Sequence, residues 1–176
     1  EHYREIAKAG LPVSAYNNPF DTKVDLKPAL LAKLYDEGLI VAVKEFSGDV
    51  RRIYEIAELA PGLDPMIGTD DTVLEVALAG GKGWIAGYTN VFPVSSMELF
   101  RACMARDLDT ALPLYRLMHP LLRWDSKPEF IQAIKLSMDM IGRKGGRCRP
   151  PRQVLTPEQE KVVRTATEAA IAAGLH

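Results

Sequence analysis

The sequence predicts a parallel α/β fold followed by a helical segment. Three observations carry that reading. Short apolar strands alternate with helices at intervals of about 20–30 residues. Each strand runs into a cluster of glycine and polar residues, and after Pro93 only helical periodicity remains. With 176 residues the chain can build one domain with a real core. Hydrophobic residues at 47% and charged residues at 26% are the balance of a globular domain rather than a disordered one. A net charge of −1 supplies no overall field, so neither nucleic acid nor an anionic membrane is an expected partner. Cys103 and Cys148 form neither a zinc spacing nor a disulfide framework, which suits a reducing cytoplasm. No apolar run reaches the length a bilayer requires, and the opening Glu-His-Tyr-Arg-Glu is no signal peptide. The chain opens without Met and already in helical pattern, as if in the middle of a fold.

The elements follow in order. Glu1 to Ala9 reads as the tail of an amphipathic helix, with Tyr3, Ile6 and Ala7 on its apolar side and Gly10 as its stop. Leu11 to Tyr16 reads as a strand, with Pro12 near its start where a missing N–H is tolerated, and Asn17-Asn18-Pro19 as the turn after it. Asp25 offers a cap for a helix running to about Glu37, closed by Gly38. The strand from Val41 passes through Lys44, and Ser47-Gly48-Asp49 leads into a helix from Val50 to Leu59. Asp64 to Ile67 is a strand, Thr72 to Ala79 a helix, and Trp84 to Ala86 a further short strand. Val94–Arg106, Asp109–Arg123, Pro128–Ile141 and Thr156–Ala173 read as helices, the last with Thr156 as cap and Pro157 at its first position. Gly142 to Arg152 is the long irregular connection, and its basic residues are read as an ordinary surface.

In parallel α/β folds the active site collects at the C-terminal ends of the strands. Those ends read Tyr16-Asn17-Asn18-Pro19, Lys44-Glu45, Gly68-Thr69-Asp70-Asp71 and Gly87-Tyr88-Thr89-Asn90. Alternation puts Ala42, Lys44 and Phe46 on one face of their strand and Val41, Val43 and Glu45 on the other. On a strand covered on both faces, an amine at position 44 would have little water around it. A desolvated neutral amine can attack a carbonyl to form a Schiff base, and a nearby phenol such as Tyr16 can relay protons without a permanent charge. Asp70 and Asp71 read as an N-cap pair for the next helix, and Arg51 and Arg52 as a solvated helix face. No histidine or further carboxylate stands near the two aspartates, so no metal site is expected.

Tyr16-Asn17-x-Pro19, then Lys44-Glu45 with Ser47-Gly48-Asp49, then Gly68-Thr69-Asp70-Asp71, then Gly83-Trp84-Ile85-Ala86 with Asn90 and Pro93, resemble the motifs of the dihydrodipicolinate synthase / N-acetylneuraminate lyase family in order and spacing. The resemblance implies a TIM (β/α)8 barrel, of which residues 1–93 hold the last four βα units. Residues 94–176 would then be the last barrel helix and a C-terminal helical extension. It implies Schiff-base lyase chemistry on a small 2-oxo acid such as pyruvate, with Lys44 as the imine-forming lysine and Tyr16 as the proton shuttle. The covalent imine on Lys44 would take the place of any cofactor. The backbone at Ile85 would face the imine-bound acid, and Gly68, Asp70 and Asn18 would line the rest of the pocket. A homo-oligomer, tetramer or dimer, is the implied assembly.

Two departures from the family pattern stand out. Only four strands are legible, so the front half-barrel, with its carboxylate-binding loop, is expected as a missing partner without which the chain is inactive. Asp21 occupies the position where dihydrodipicolinate synthases proper carry an arginine, which disfavours 4-hydroxy-tetrahydrodipicolinate synthesis. Asn18, Ser47-Gly48-Asp49-Val50-Arg51-Arg52-Ile53, Gly83-Trp84, Leu114-Tyr115-Arg116, Pro120-Leu121-Leu122 and Arg149-Pro150-Pro151-Arg152 look more like the branch that deaminates 1-pyrroline-4-hydroxy-2-carboxylate. The alternative of another class is a non-catalytic paralogue that binds a keto acid or serves in assembly.

Overall fold

The computed structural model describes residues 1–176, which form two compact units, Glu1–Ile85 and Ala86–His176. In the first unit, helix α1 (His2–Ala7) precedes strand β1 (Ser14–Asn17), the short helix α2 (Pro19–Thr22) and helix α3 (Pro28–Asp36). Strand β2 (Ala42–Glu45), helix α4 (Arg51–Leu59), strand β3 (Asp64–Ile67), helix α5 (Val73–Ala79) and strand β4 (Gly83–Trp84) complete it. All neighbouring strands pair in parallel in the order β1-β2-β3-β4. A parallel pair needs a helical crossover, which is why each strand is followed by a helix. The (β/α) architecture expected from the sequence is present as four consecutive units of a parallel barrel sheet.

The pleat divides the sheet into two unlike faces. Ala15, Val43 and Ile67 point to one face and are at most 2% exposed. There Ala15 and Val43 meet Leu31 and Ala32 of α3 and Ile56 of α4 in one apolar cluster, with Tyr3 of α1 at its margin. The other face carries Ser14, Tyr16, Lys44, Met66 and, beyond β4, Ile85; Tyr16 is 46% and Ile85 43% exposed. Helices therefore cover one face, and β1 and β4 are each paired on one side only. The sequence reading allowed for a lysine strand covered on both faces; here Lys44 lies half-buried on the uncovered one. Leu31 has no exposed surface, so Leu31→Ala is expected to cost about 2–5 kcal/mol of stability in urea unfolding.

The expected strand at Leu11–Tyr16 begins later, at Ser14, and the one at Trp84–Ala86 is shifted to Gly83–Trp84. Helix α3 starts at Pro28, with Lys27 rather than Asp25 in the cap position and no side-chain cap bond. Asp25 is engaged elsewhere, as described below.

The second unit consists of α6 (Pro93–Ala105), α7 (Leu108–Leu122), α8 (Phe130–Met140) and α9 (Pro157–Ala172), preceded by a 3-10 turn at Tyr88–Asn90. Asp107 caps α7 through Thr110, and Thr156 and Gln159 form a capping box on α9. Helix α9 packs on α7 and α8. Buried within that packing, the hydroxyls of Ser137 and Thr167 bond to one another at 2.8 Å, satisfying two polar groups that burial would otherwise penalise. No helix is long and apolar enough to cross a membrane.

Candidate active site

Lys44 and Tyr16 are register partners at the C-terminal ends of β2 and β1. The ammonium nitrogen of Lys44 lies 4.4 Å from the centroid of the Tyr16 ring and 5.5 Å from that of Phe46. The two rings meet edge to face at 6.1 Å, so the lysine tip rests in an aromatic corner. Such contacts attract a cation while withholding part of its water. The Tyr16 hydroxyl oxygen accepts a hydrogen bond from Asn18 Nδ2 at 3.2 Å. Asn18 itself is 4% exposed and caps α2 by accepting from the Asp21 N–H, while its Nδ2 also donates to Asp21 Oδ2 at 2.8 Å. The turn after β1 thus holds Asn18 against the phenol, with Asp21 bonded to Asn18.

Gly68, Asp70 and Ile85 stand at the ends of β3 and β4. Gly68 is buried, and a Cβ added there would lie 2.2 Å from the carbonyl oxygen of Glu45. Only glycine lets β3 leave the sheet this close to β2. Asp70 has no exposed surface, and its carboxylate accepts the indole N–H of Trp84 at 3.0 Å. The capping reading of Asp70 and Asp71 is corrected: Thr69 and Thr72 occupy the N-cap positions of the 3-10 turn and of α5. The hydroxyls of those two threonines bond to each other. Ile85 donates its N–H to the Ile67 carbonyl at 3.0 Å, which extends the ladder past β4 toward the uncovered face. Of the six residues singled out from the sequence, the structure brings Tyr16, Lys44 and Asn18 together; Gly68, Asp70 and Ile85 form the neighbouring strand ends.

Sequence reasoning missed a second group. Arg52 is no solvated residue: it donates to both oxygens of Asp25, at 2.6 and 2.9 Å, and lies 3.8 Å from Glu45 Oε2. Only Arg51 fits the solvated reading, paired with Asp49 at the surface. Glu45 lies on the buried face, where Asn17 Nδ2 and the Ser47 N–H donate to it. Burial raises the Glu45 carboxyl above its ordinary range, opposed by the bonds from Ser47 and Asn17 and the charge of Arg52. Asp25 moves the other way, lowered chiefly by its hydrogen bonds from Arg52. The signal was present in the alternation, which puts Glu45 opposite Lys44 on the covered face, where a carboxylate needs partners.

The two carboxyls oppose each other in their effect on stability. For Asp25 the unfolded chain holds protons more tightly, so its contribution is lost as pH falls through the lowered folded value. For Glu45 the folded state holds protons more tightly, so its contribution is present in acid and lost as pH rises through the raised value. Asp25→Asn is therefore expected to lower stability at neutral pH and to flatten the loss of stability below about pH 4. Urea midpoints from pH 3 to 7 check this; an unchanged acid slope would contradict it.

Residues 1–170 match the sequence model of the dihydrodipicolinate synthetase family. A 4-hydroxy-tetrahydrodipicolinate synthase of Thermodesulfovibrio yellowstonii is 34% identical over 81% of this chain and 50% of its own length. Another of that name, from Anaeromyxobacter dehalogenans, is 34% identical over 99% of this chain and 59% of its own. Among solved structures, dihydrodipicolinate synthase from Aquifex aeolicus superposes with a TM-score of 0.87 at 29% identity, over 99% of this chain and 60% of that one. A putative dihydrodipicolinate synthetase from Pseudomonas aeruginosa gives 0.87 at 29% identity, over 96% and 59%. The chain thus spans between half and three fifths of the length of these relatives.

Proposed function

Since the chain belongs to the dihydrodipicolinate synthetase family, we propose that it forms an imine between Lys44 and a small 2-oxo acid or cyclic imine acid, as part of a Schiff-base lyase. The observation that carries this reading is the register pairing of Tyr16 with Lys44, with the ammonium held against the phenol ring at 4.4 Å. In the proposed reaction the neutral amine attacks a 2-oxo acid's carbonyl and the carbinolamine loses water; on a cyclic imine acid it adds to the C=N carbon instead, and the ring nitrogen leaves as a protonated amine. The resulting iminium draws electrons from the adjacent carbon–hydrogen or carbon–carbon bond. Tyr16 would carry protons to and from these intermediates, its oxygen oriented by Asn18.

The family supports aldol addition, dehydration and deamination on such an iminium. The relatives above are named for 4-hydroxy-tetrahydrodipicolinate synthesis. Asp21, beside Asn18, puts a carboxylate near the phenol, which opposes a second substrate bearing a carboxylate at that spot. That charge favours a deaminase of the 1-pyrroline-4-hydroxy-2-carboxylate type over the synthase. The uncovered sheet face leaves the lysine open to water on one side. The reading therefore includes further strands, contributed from outside these 176 residues, that close the pocket.

The test is to incubate the protein, as purified, with pyruvate and borohydride and to weigh it intact. The expected result is one reduced pyruvyl group mapping to Lys44, with any second chain visible in the same spectrum. An adduct on another lysine ends the assignment to Lys44, and none while a second chain covers the sheet overturns the lyase reading in favour of a keto-acid-binding paralogue.

A further inference from the structure

We propose that Asn17 and Glu45 form a cross-strand clamp that sets Lys44 against Tyr16, which makes both of them positioning residues for the imine chemistry. The catalytic consequence rests on the reading of Lys44 given above; the clamp itself is geometric. Asn17 and Glu45 are register partners immediately after Tyr16 and Lys44, and the pleat turns them to the opposite, covered face. They are 0% and 6% exposed. Asn17 Nδ2 donates to Glu45 Oε1 at 3.1 Å and lies 3.4 Å from Oε2.

The remaining atoms of the pair are also committed. The Leu26 N–H donates to Asn17 Oδ1 at 2.9 Å, which fixes which end of the amide faces Glu45. The Ser47 N–H donates to Glu45 Oε1 at 2.7 Å. Arg52, on α4, is 3.8 Å from Glu45 Oε2 and joined to Asp25, whose Oδ1 lies 3.4 Å from Asn17 Nδ2. Donors and acceptors match in one alignment of β1 against β2. A slip of β1 by one residue would turn Tyr16 into the helix layer, away from Lys44, and leave this buried group unpaired. An apolar pair would fill the same space at less desolvation cost, so the polar pair is best understood as specifying alignment. The lysine stem is flexible. The clamp anchors its base while the Tyr16 and Phe46 rings hold its tip.

A polarity swap tests the clamp in the full chain. Asn17→Asp sets two carboxylates face to face. Glu45→Gln keeps its oxygen at the Oε1 position, where it still accepts from the Ser47 N–H and from Asn17 Nδ2, and puts its NH2 where Oε2 stood. With both changes, the carboxylate at position 17 accepts from Leu26 and from the amide at position 45, and the match returns. Two readouts apply: the nuclear Overhauser effect between the Lys44 side chain and the Tyr16 ring, and the rate of pyruvate trapping by borohydride. Asn17→Asp alone is expected to remove the first and slow the second about ten- to a hundredfold, whereas Glu45→Gln alone, which keeps the Asn17 bond, is expected to leave both within about threefold of the parent. The double change is expected to restore both to within about threefold of the parent.

An Asn17→Asp variant that keeps the parent's ring contact, or a double variant that recovers neither readout, overturns the proposal. So does absence of the contact in the parent. Should a single variant fail to fold, Glu45→Asp retains the charge but shortens the reach by one methylene. An undiminished ring contact in that variant also overturns the clamp. If the parent shows the contact but traps no pyruvate while a second chain covers the sheet, the lyase reading fails, and the contact alone still decides the clamp.

Discussion

Lys44→Arg is expected to leave the protein folded and to remove the pyruvyl adduct, by at least about a thousandfold. Arginine keeps the positive charge and can rest on the same Tyr16 and Phe46 rings. The fold therefore loses little. A guanidinium does not give up its proton in a protein, so it offers no nucleophile to a carbonyl. Tyr16→Phe separates the second role. The ring and its contact with Phe46 remain, the hydroxyl bonded to Asn18 is gone, and trapping is expected to continue but about a hundredfold more slowly. Intact mass against time measures both. A pyruvyl adduct that survives Lys44→Arg would locate the imine on another lysine and end the assignment.

Gly68→Ala is expected to cost about 2–4 kcal/mol in urea unfolding, which for a domain of this size is a large share of the total. The added Cβ would stand 2.2 Å from the Glu45 oxygen, 2.7 Å from its carbon and 3.1 Å from the Phe46 Cα. All three are backbone atoms, so nothing can rotate away. The strands must part instead, at the residues that carry Lys44 and its clamp. Gly83 makes the contrast: a Cβ there would meet the end of the Met66 side chain at 2.3 Å, which can move. Gly83→Ala is accordingly expected to cost less. A loss below about 0.5 kcal/mol at Gly68 would contradict the close approach of β3 to β2.

The strand Asp64–Ile67 and the four long helices were legible in the sequence because each combines its own periodicity with an adjacent stop or cap. Thr156-Pro157 and the capping box it opens are the clearest case. The juxtaposition of Tyr16 and Lys44 came from motif order, and the parallel register places the two opposite one another. What stayed hidden were partnerships across distant segments. Helical period shows which side of α4 Arg52 occupies, but not that the carboxylate of Asp25 waits there rather than water. An aspartate three residues before a proline-led helix looks the same whether it caps that helix or reaches an arginine on the next one. Asp70 gave no sign of preferring an indole N–H, since Trp84 approaches it only once β3 and β4 are side by side.

The sheet face that carries Tyr16 and Ile85 has a thermodynamic consequence. A partner that covered that face, binding the folded chain and not the unfolded one, would raise the unfolding free energy with the logarithm of its concentration. At a hundred times its dissociation constant the gain is about 2.7 kcal/mol. With such a partner the melting temperature of this chain would be set by the solution as well as by the sequence, and dilution alone would lower it.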